Sequence, residues 1–203
     1  DPQRELDMIR SYVRMAAQSG WLPRFPGIGG DVPCMLGHHT VAAIVDAYRK
    51  GLTDFDVPQA YAAMRQRLTE ATSLPWRNGP LTELDHVYTE KGFFPALRPG
   101  ENETVPEVHP FEGRQAVAVT LECSYDAYAV ALMARELGHQ QDYLTFLERA
   151  RNYRNLYNPA NGFMAPRSAD GEWIQPFDPK LSGGQGGRAY YAECNAWTYT
   201  WSV

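Results

Sequence analysis

Cysteine is scarce. Cys34, Cys123 and Cys194 are the only three in 203 residues, too few and too scattered for a disulfide framework, and no Cys-x-x-Cys or paired Cys/His spacing points to structural zinc. Positive charge is also in deficit: 19 Lys plus Arg stand against 24 Asp plus Glu, a net charge of −5. No basic stripe is present to neutralise a row of phosphates, which argues against a nucleic-acid partner. No unbroken apolar run approaches the roughly 20 residues that span a bilayer, and the amino terminus lacks a charged-then-apolar leader pattern, so no membrane partner is expected. What remains is a chain with 44% hydrophobic residues, enough to bury one good core.

Apolar residues recur at helical spacing in successive blocks: Leu6, Ile9, Val13 and Ala16; Val41, Ile44, Val45 and Tyr48; Val57, Tyr61, Met64 and Leu68. Gly20, Gly51 and the Ser73-Leu74-Pro75 turn stop them, and Asp56 ahead of Pro58 is a natural amino-terminal cap. A weaker helix is expected over 81–91, ending at Gly92. Leu121, Tyr125, Tyr128 and Leu132 define a long helix that Thr120 would cap and Gly138 would end, followed by a helix carrying Tyr143, Phe146, Leu147, Ala150 and Tyr153. Long connectors rich in Gly, Pro and aromatics, residues 21–37, 93–116 and 158–187, separate these helices, and loops of that length usually carry function. The pattern predicts an all-α fold of the toroid type, with inner and outer helices alternating and loops at one end building a pocket. One small β-hairpin is expected, residues 162–167 against 170–174 around Asp170-Gly171. The chain has no initiating Met and stops directly after its most distinctive motif, so it reads as a piece of a bigger protein.

That motif runs from Gly183-Gly184-Gln185-Gly186-Gly187-Arg188 into Tyr190-Tyr191-Ala192-Glu193-Cys194-Asn195-Ala196-Trp197. One carboxylate stands among aromatic rings and an amide. An apolar envelope raises a carboxyl pKa, so the acid holds a proton near neutrality, while flat rings stack on the C–H faces of a pyranose. Glu193 is therefore the candidate proton donor of a sugar-cleaving site. The competing reading makes the aromatics the core face of one more helix. The glycines weigh against it, because they imply a close approach of backbone to something.

His38 and His39 follow Gly37 at a helix start, where they point at a ligand or serve as a cap and structural pair. Their spacing alone offers too few ligands for a metal. Glu122 and Asp126 lie four apart on one helix face, as a carboxylate pair or, more simply, with Glu122 complementing the helix dipole and Asp126 accepting a hydrogen bond. Trp173 and Phe177 line a sugar platform or cover the hairpin, and Arg167 is expected in a structural ion pair.

Ordered blocks along the whole chain resemble glycoside hydrolase family 92, the exo-acting α-mannosidases. They are Gly20-Trp21-Leu22-Pro23-Arg24, Cys34-Met35-Leu36-Gly37-His38-His39, Asp46-Ala47-Tyr48-Arg49-Lys50-Gly51, Gly92-Phe93-Phe94-Pro95-Ala96, Thr120-Leu121-Glu122-Cys123-Ser124-Tyr125-Asp126, Asn161-Gly162-Phe163-Met164-Ala165-Pro166-Arg167, Pro176-Phe177-Asp178-Pro179 and Tyr191-Ala192-Glu193-Cys194-Asn195-Ala196-Trp197. The resemblance implies that residues 1–203 are one segment of a larger (α/α)6 toroid, the catalytic domain, with the remainder of that domain and a preceding β-sandwich domain as partners. It implies calcium-dependent hydrolysis of terminal α-linked mannose from glycans, with inversion.

The family's acid is the glutamate of its Glu-x-Asn-Ala-Trp motif, which falls on Glu193, and Cys34, His38, His39, Asn195 and Trp197 fall among its sugar contacts. The base and the calcium ligands are expected beyond this chain, and a secreted, periplasmic or cell-surface setting is expected for the family. Pro33, His38 and Cys194 depart from common family residues near the pocket, which leaves linkage preference open. Another toroid glycosidase or a non-catalytic sugar-binding helical segment are the competing assignments.

Overall fold

The computed structural model describes residues 1–185 and 189–201. Seven helices carry the fold: α1 (Pro2–Ser19), α2 (Thr40–Arg49), α3 (Val57–Thr69), α4 (Glu83–Lys91), α5 (Ala116–Glu136), α6 (Gln140–Arg149) and α7 (Ala196–Thr200). Most starts and stops follow from local chemistry. The Asp1 side chain accepts from the Arg4 amide and the Asp56 side chain from the Gln59 amide; Thr82 and Asp85 form a reciprocal capping box; Gly20 and Gly92 close their helices in the left-handed conformation. The apolar stripe of α1 is the expected one, with Leu6, Ile9, Val13 and Ala16 buried.

The long helix α5 is the centre of the chain. It packs against α2, α3 and α6, and Val130, Met133, Ala134 and Ala127 join Ile9, Val41, Ile44, Met64 and Phe146 in one core. By length and composition α5 is apolar enough to cross a membrane, but most of it is buried among the other helices, and it carries the fully buried Asp126. It is the core helix of this fold. It begins at Ala116, one turn before the expected cap at Thr120, because Thr120 has another use: its hydroxyl bonds the Ala116 carbonyl and accepts from the Phe94 amide. The stripe expected to face the core is also displaced. Tyr125 and Tyr128 are exposed; a helix buried around most of its girth carries no single apolar stripe to read.

Gly138, with φ +78°, turns the chain from α5 into α6 as a helical hairpin. Beyond it lie two short antiparallel pairings. Strands β3 (Tyr157–Asn158) and β4 (Phe163–Met164) pair with each other, so the first limb of the predicted hairpin finds its partner upstream, while the predicted pairing is reduced to a single bridge, Arg167 with Trp173, around Asp170-Gly171. A further ribbon, β1 (Pro26–Gly27) with β2 (Gly30–Asp31), lies in the first connector. The fold is thus mainly helical, with long loops and small hairpins.

Two buried arginines tie the loops together. Arg24 donates to the carbonyls of Leu74 at 2.6 Å, Thr72 at 3.3 Å and Met35 at 3.4 Å, which clamps the 21–37 connector to the loop after α3. Arg67 donates to Asn78 Oδ1 at 2.7 Å, and Asn78 donates to Asp31 at 2.6 Å. Burial pulls the Arg24 guanidinium down to about 10 and that of Arg67 down to about 9. Arg114 does the same for the 93–116 connector, with a two-pronged pair to Glu103, both contacts 2.7 Å, and a bond to the Pro95 carbonyl. The loops are therefore held by the core itself.

Candidate active site

Glu193 stands at the apex of a tight turn with φ +55°, where the Cys194 amide folds back on the Ala192 carbonyl. Three separate anchors hold the turn. The carbonyl of Tyr190 accepts from the amides of Val117 at 2.9 Å and Ala118 at 3.3 Å, the exposed donors at the start of α5. The Tyr199 hydroxyl donates to the Ala192 carbonyl at 3.1 Å, and the Gly183 amide donates to the Cys194 carbonyl at 2.9 Å. Gly183 has no room for a side chain: a Cβ there would overlap the Tyr191 carbonyl oxygen and the Glu193 amide nitrogen. The close approach inferred from the glycine run is thus made, at Gly183, to the backbone that carries Glu193. Gly186, Gly187 and Arg188 of the same run lie outside the described residues.

The neighbouring aromatics brace this turn. Tyr191 is buried, donates to the Met164 carbonyl at 2.7 Å and stacks on Tyr199 with centroids 5.6 Å apart. Tyr190 donates to the Leu97 carbonyl. Tyr191 packs in the interior and the partly buried Tyr190 against it, but both stand on a turn ahead of α7 and not, as the competing reading had it, on the core face of a helix. The apolar envelope expected around the Glu193 carboxyl is not supplied by them, and Glu193 is exposed in this chain.

Glu193 lines a cavity of about 100 Å³ with Met35, Leu36, Trp76, Glu112, Gln115 and Ala192. Four connectors meet there. Among the described residues, the non-glycine residues at positive φ are Met35 (64°), Trp76 (60°), Gln115 (49°) and Glu193 (55°), and all four line this one cavity. A left-handed backbone costs a side-chain-bearing residue of order 1 kcal/mol or more, and here that cost is concentrated on one cavity. Among the described residues three larger hollows are found, about 450 Å³ beside Glu122 and Tyr153, about 490 Å³ beside Arg98 and Phe177 and about 280 Å³ beside Asp46 and Tyr128. None contains a strained residue of this kind.

The other residues singled out in the sequence lie elsewhere. Asn195 caps α7, accepting from the Thr198 amide, and donates to the Lys180 carbonyl at 3.4 Å. Trp197 is half-exposed on α7, edge-on to Phe163 at 5.1 Å. Cys34 is buried and unbridged. His38 is 2% exposed; its Nδ1 accepts from Arg67 Nε at 3.0 Å and its amide donates to Asp126 at 2.6 Å. Burial, then the facing Arg67 and Arg24, hold its pKa well below the usual imidazole value.

His39 is half-exposed over Gly37, with Nε2 3.4 Å from Glu122 and Nδ1 3.7 Å from Asp126. The Asp126 carboxylate, with Glu122 adding, raises its pKa against the opposing effect of partial burial. Burial likewise raises the Glu122 carboxyl, and Asp126 adds to this. Glu122 is therefore His39's partner and lies too far into α5 to act on its dipole, while Asp126 accepts the hydrogen bond expected of it. Arg167 lacks the expected acidic partner: it sits between the rings of Phe93 and Trp173, 4.9 and 4.8 Å away, and donates to the carbonyls of Gly171 and Asn155. Among the described residues, no group of three or more His, Cys, Asp and Glu is placed to hold a metal ion.

Sequence reasoning missed Met35 as a wall residue, along with Trp76, Glu112 and Gln115. Trp76, an exposed aromatic between Pro75 and Asn78-Gly79, carried a readable signal. Gln115 carried none, since nothing in its neighbours announces a left-handed glutamine at a helix start.

A solved inverting mannosidase of family GH92 from Bacteroides thetaiotaomicron VPI-5482 superposes with a TM-score of 0.81 at 30% identity, over 100% of this chain and 24% of its own. A GH92 α-mannosidase from the same species matches with a TM-score of 0.78 at 28% identity, over 99% of this chain and 24% of its own, and has also been solved with mannoimidazole. The chain thus spans about a quarter of the length of these mannosidases. A comparison with curated protein sequences returned no match. The model of the glycosyl hydrolase family 92 catalytic domain matches residues 1–203 in full, and the chain belongs to that family of glycoside hydrolases.

Proposed function

We propose that the protein to which this chain belongs hydrolyses terminal α-linked mannose from glycans with inversion, and that Glu193 is its general acid. The observation that carries the reading is the convergence of all four left-handed non-glycine residues on the cavity of Glu193, since strain of this kind persists where function holds it. The carboxyl would give its proton to the glycosidic oxygen as the C–O bond breaks and its electron pair moves to that oxygen. Water then attacks the anomeric carbon from the opposite face and yields its proton to a second carboxylate, about 6.5–9.5 Å from the first. That base comes from residues outside this chain, as do the residues that hold calcium and the segments that enclose the Glu193 carboxyl. The described residues include no group of three or more His, Cys, Asp and Glu placed to hold a metal ion. The relatives solved as mannosidases support the choice of sugar.

Glu193→Gln removes the proton and little else. In the longest natural chain containing these residues, its kcat/KM on a mannobiose is expected to fall by about 10³-fold or more. Its loss on a mannoside with an acidic leaving group, such as 2,4-dinitrophenol, should be far smaller, because that leaving oxygen needs no proton. Equal losses on both substrates would remove Glu193 from the acid role.

A further inference from the structure

Resting on the acid assignment of Glu193, we propose that Trp76 and Gln115 form the leaving-group half of the site: the Trp76 indole is a platform for the sugar ring that departs, and the Gln115 carbonyl accepts from one of its hydroxyls. They line one cavity with Glu193, of about 100 Å³. The acid's proton goes to the leaving oxygen, so walls shared with Glu193 border the acid's side of the scissile bond, where that oxygen and the ring attached to it lie.

Trp76 is built for contact. It is 40% exposed although large and apolar, and its left-handed backbone projects it from the loop after α3. Its ring rests on His109 with centroids 5.5 Å apart and planes tilted by 34°. The same imidazole accepts from the amides of Phe111 at 3.3 Å and Glu112 at 3.2 Å, so one residue fixes both the platform and the opposite wall. A braced, partly open indole is the surface on which the C–H face of a pyranose loses water at little entropic cost.

Gln115 supplies the polar contact. It is 3% exposed, and its Nε2 donates toward the Glu112 carboxylate at 3.2 Å and the Glu112 carbonyl at 3.4 Å. That pairing fixes which end of the amide is which, since a flipped amide would set oxygen against carboxylate. It leaves Oε1 buried with no hydrogen-bond partner among the described residues, in a residue that lines the cavity. A buried carbonyl left without a donor calls for one from outside, and a sugar hydroxyl is such a donor.

The test compares two substrates that share the mannosyl group: a mannobiose, whose leaving group is a ring, and α-mannosyl fluoride, whose leaving group is a single atom. For Trp76→Ala and Gln115→Met in the longest natural chain, the ratio of kcat/KM on mannobiose to that on the fluoride should fall about tenfold or more. Trp76→Phe, which keeps a ring, should restore most of it. An unchanged ratio in Trp76→Ala would overturn the proposal, as would a ratio that Trp76→Phe fails to recover. Hydrolysis of the fluoride reports that each variant is folded. Glu193→Gln run alongside separates the two ideas: mannobiose hydrolysis surviving in that variant defeats the acid assignment, whereas a collapsed ratio there with an unchanged ratio at Trp76 defeats the platform alone. A natural chain that cleaves neither substrate overturns both.

Discussion

His38 and His39 are adjacent at the mouth of α2, yet their surroundings push them in opposite directions. His38 is buried against two guanidiniums and must stay neutral, because its Nδ1 is the acceptor for Arg67 Nε. Its folded pKa lies below that of the unfolded chain, so the unfolded state takes up a proton first as the pH falls below about 6.5. His38 thus contributes stability above that pH and loses it on acidification, with a slope of up to about 1.4 kcal/mol per pH unit. His39, raised by Asp126 and Glu122, has the reverse sign: its contribution is complete below about 6.5 and is lost as the pH rises through its folded pKa. His38→Asn keeps an acceptor for Arg67 and removes the titration. Denaturation measured between about pH 7 and pH 4.5 should therefore show a shallower acid limb in that variant than in the parent. An acid limb of unchanged slope would mean that His38 is protonated in the folded protein.

At the scale of elements, Glu193 is positioned by the start of one helix, a tyrosine from another and a glycine in a loop. The Gly183 contact is the easiest to break, because the atoms an added methyl would meet are backbone and cannot rotate away. Gly183→Ala should displace the Glu193 turn by a fraction of an ångström to an ångström. A shift of that size costs about 10²-fold in kcat/KM when it moves a reacting group, with a melting temperature close to the parent's. Parental activity in Gly183→Ala would show that the turn yields without moving Glu193.

The same anchors explain what the sequence disclosed. Helices with one dry face, such as α1 and the amino-terminal part of α3, were legible from the spacing of Leu6, Ile9 and Val13 or of Tyr61 and Met64, and their limits from Gly20 and from the acidic stretch that ends at Asp56. The start of α5 was not, since Gln115 at φ +49° is no ordinary cap and the donors that follow are met by a carbonyl 72 to 73 positions along, Tyr190 to Val117 and Ala118. Glu193 itself stood out because glycines and aromatics flank it. Trp76 carried a weaker signal, an aromatic between Pro75 and Asn78-Gly79, and the wall partners Glu112 and Gln115 carried none, because only the fold of distant loops brings them together.

Across the whole molecule, one side of α5 lacks a covering. Tyr125 and Tyr128 are half-exposed and together line two hollows, of about 450 and 280 Å³, and exposed apolar surface of this kind marks a contact face. The solved mannosidases are about four times the length of this chain, which leaves ample protein to cover that face and to close the toroid proposed for the full domain. The chemistry points the same way. Glu112 is the other carboxylate of the Glu193 cavity, and it is turned to Gln115 rather than toward a water across the reacting ring. We therefore predict that residues 1–203 alone do not hydrolyse 4-nitrophenyl α-mannoside. The longest natural chain containing them should do so, lose that activity to a calcium chelator and regain it on adding calcium back. The melting temperature of the 203-residue chain should not respond to calcium, because its described residues provide no three-ligand group. Turnover by the isolated chain would refute the prediction and, with it, the placement of the base outside residues 1–203.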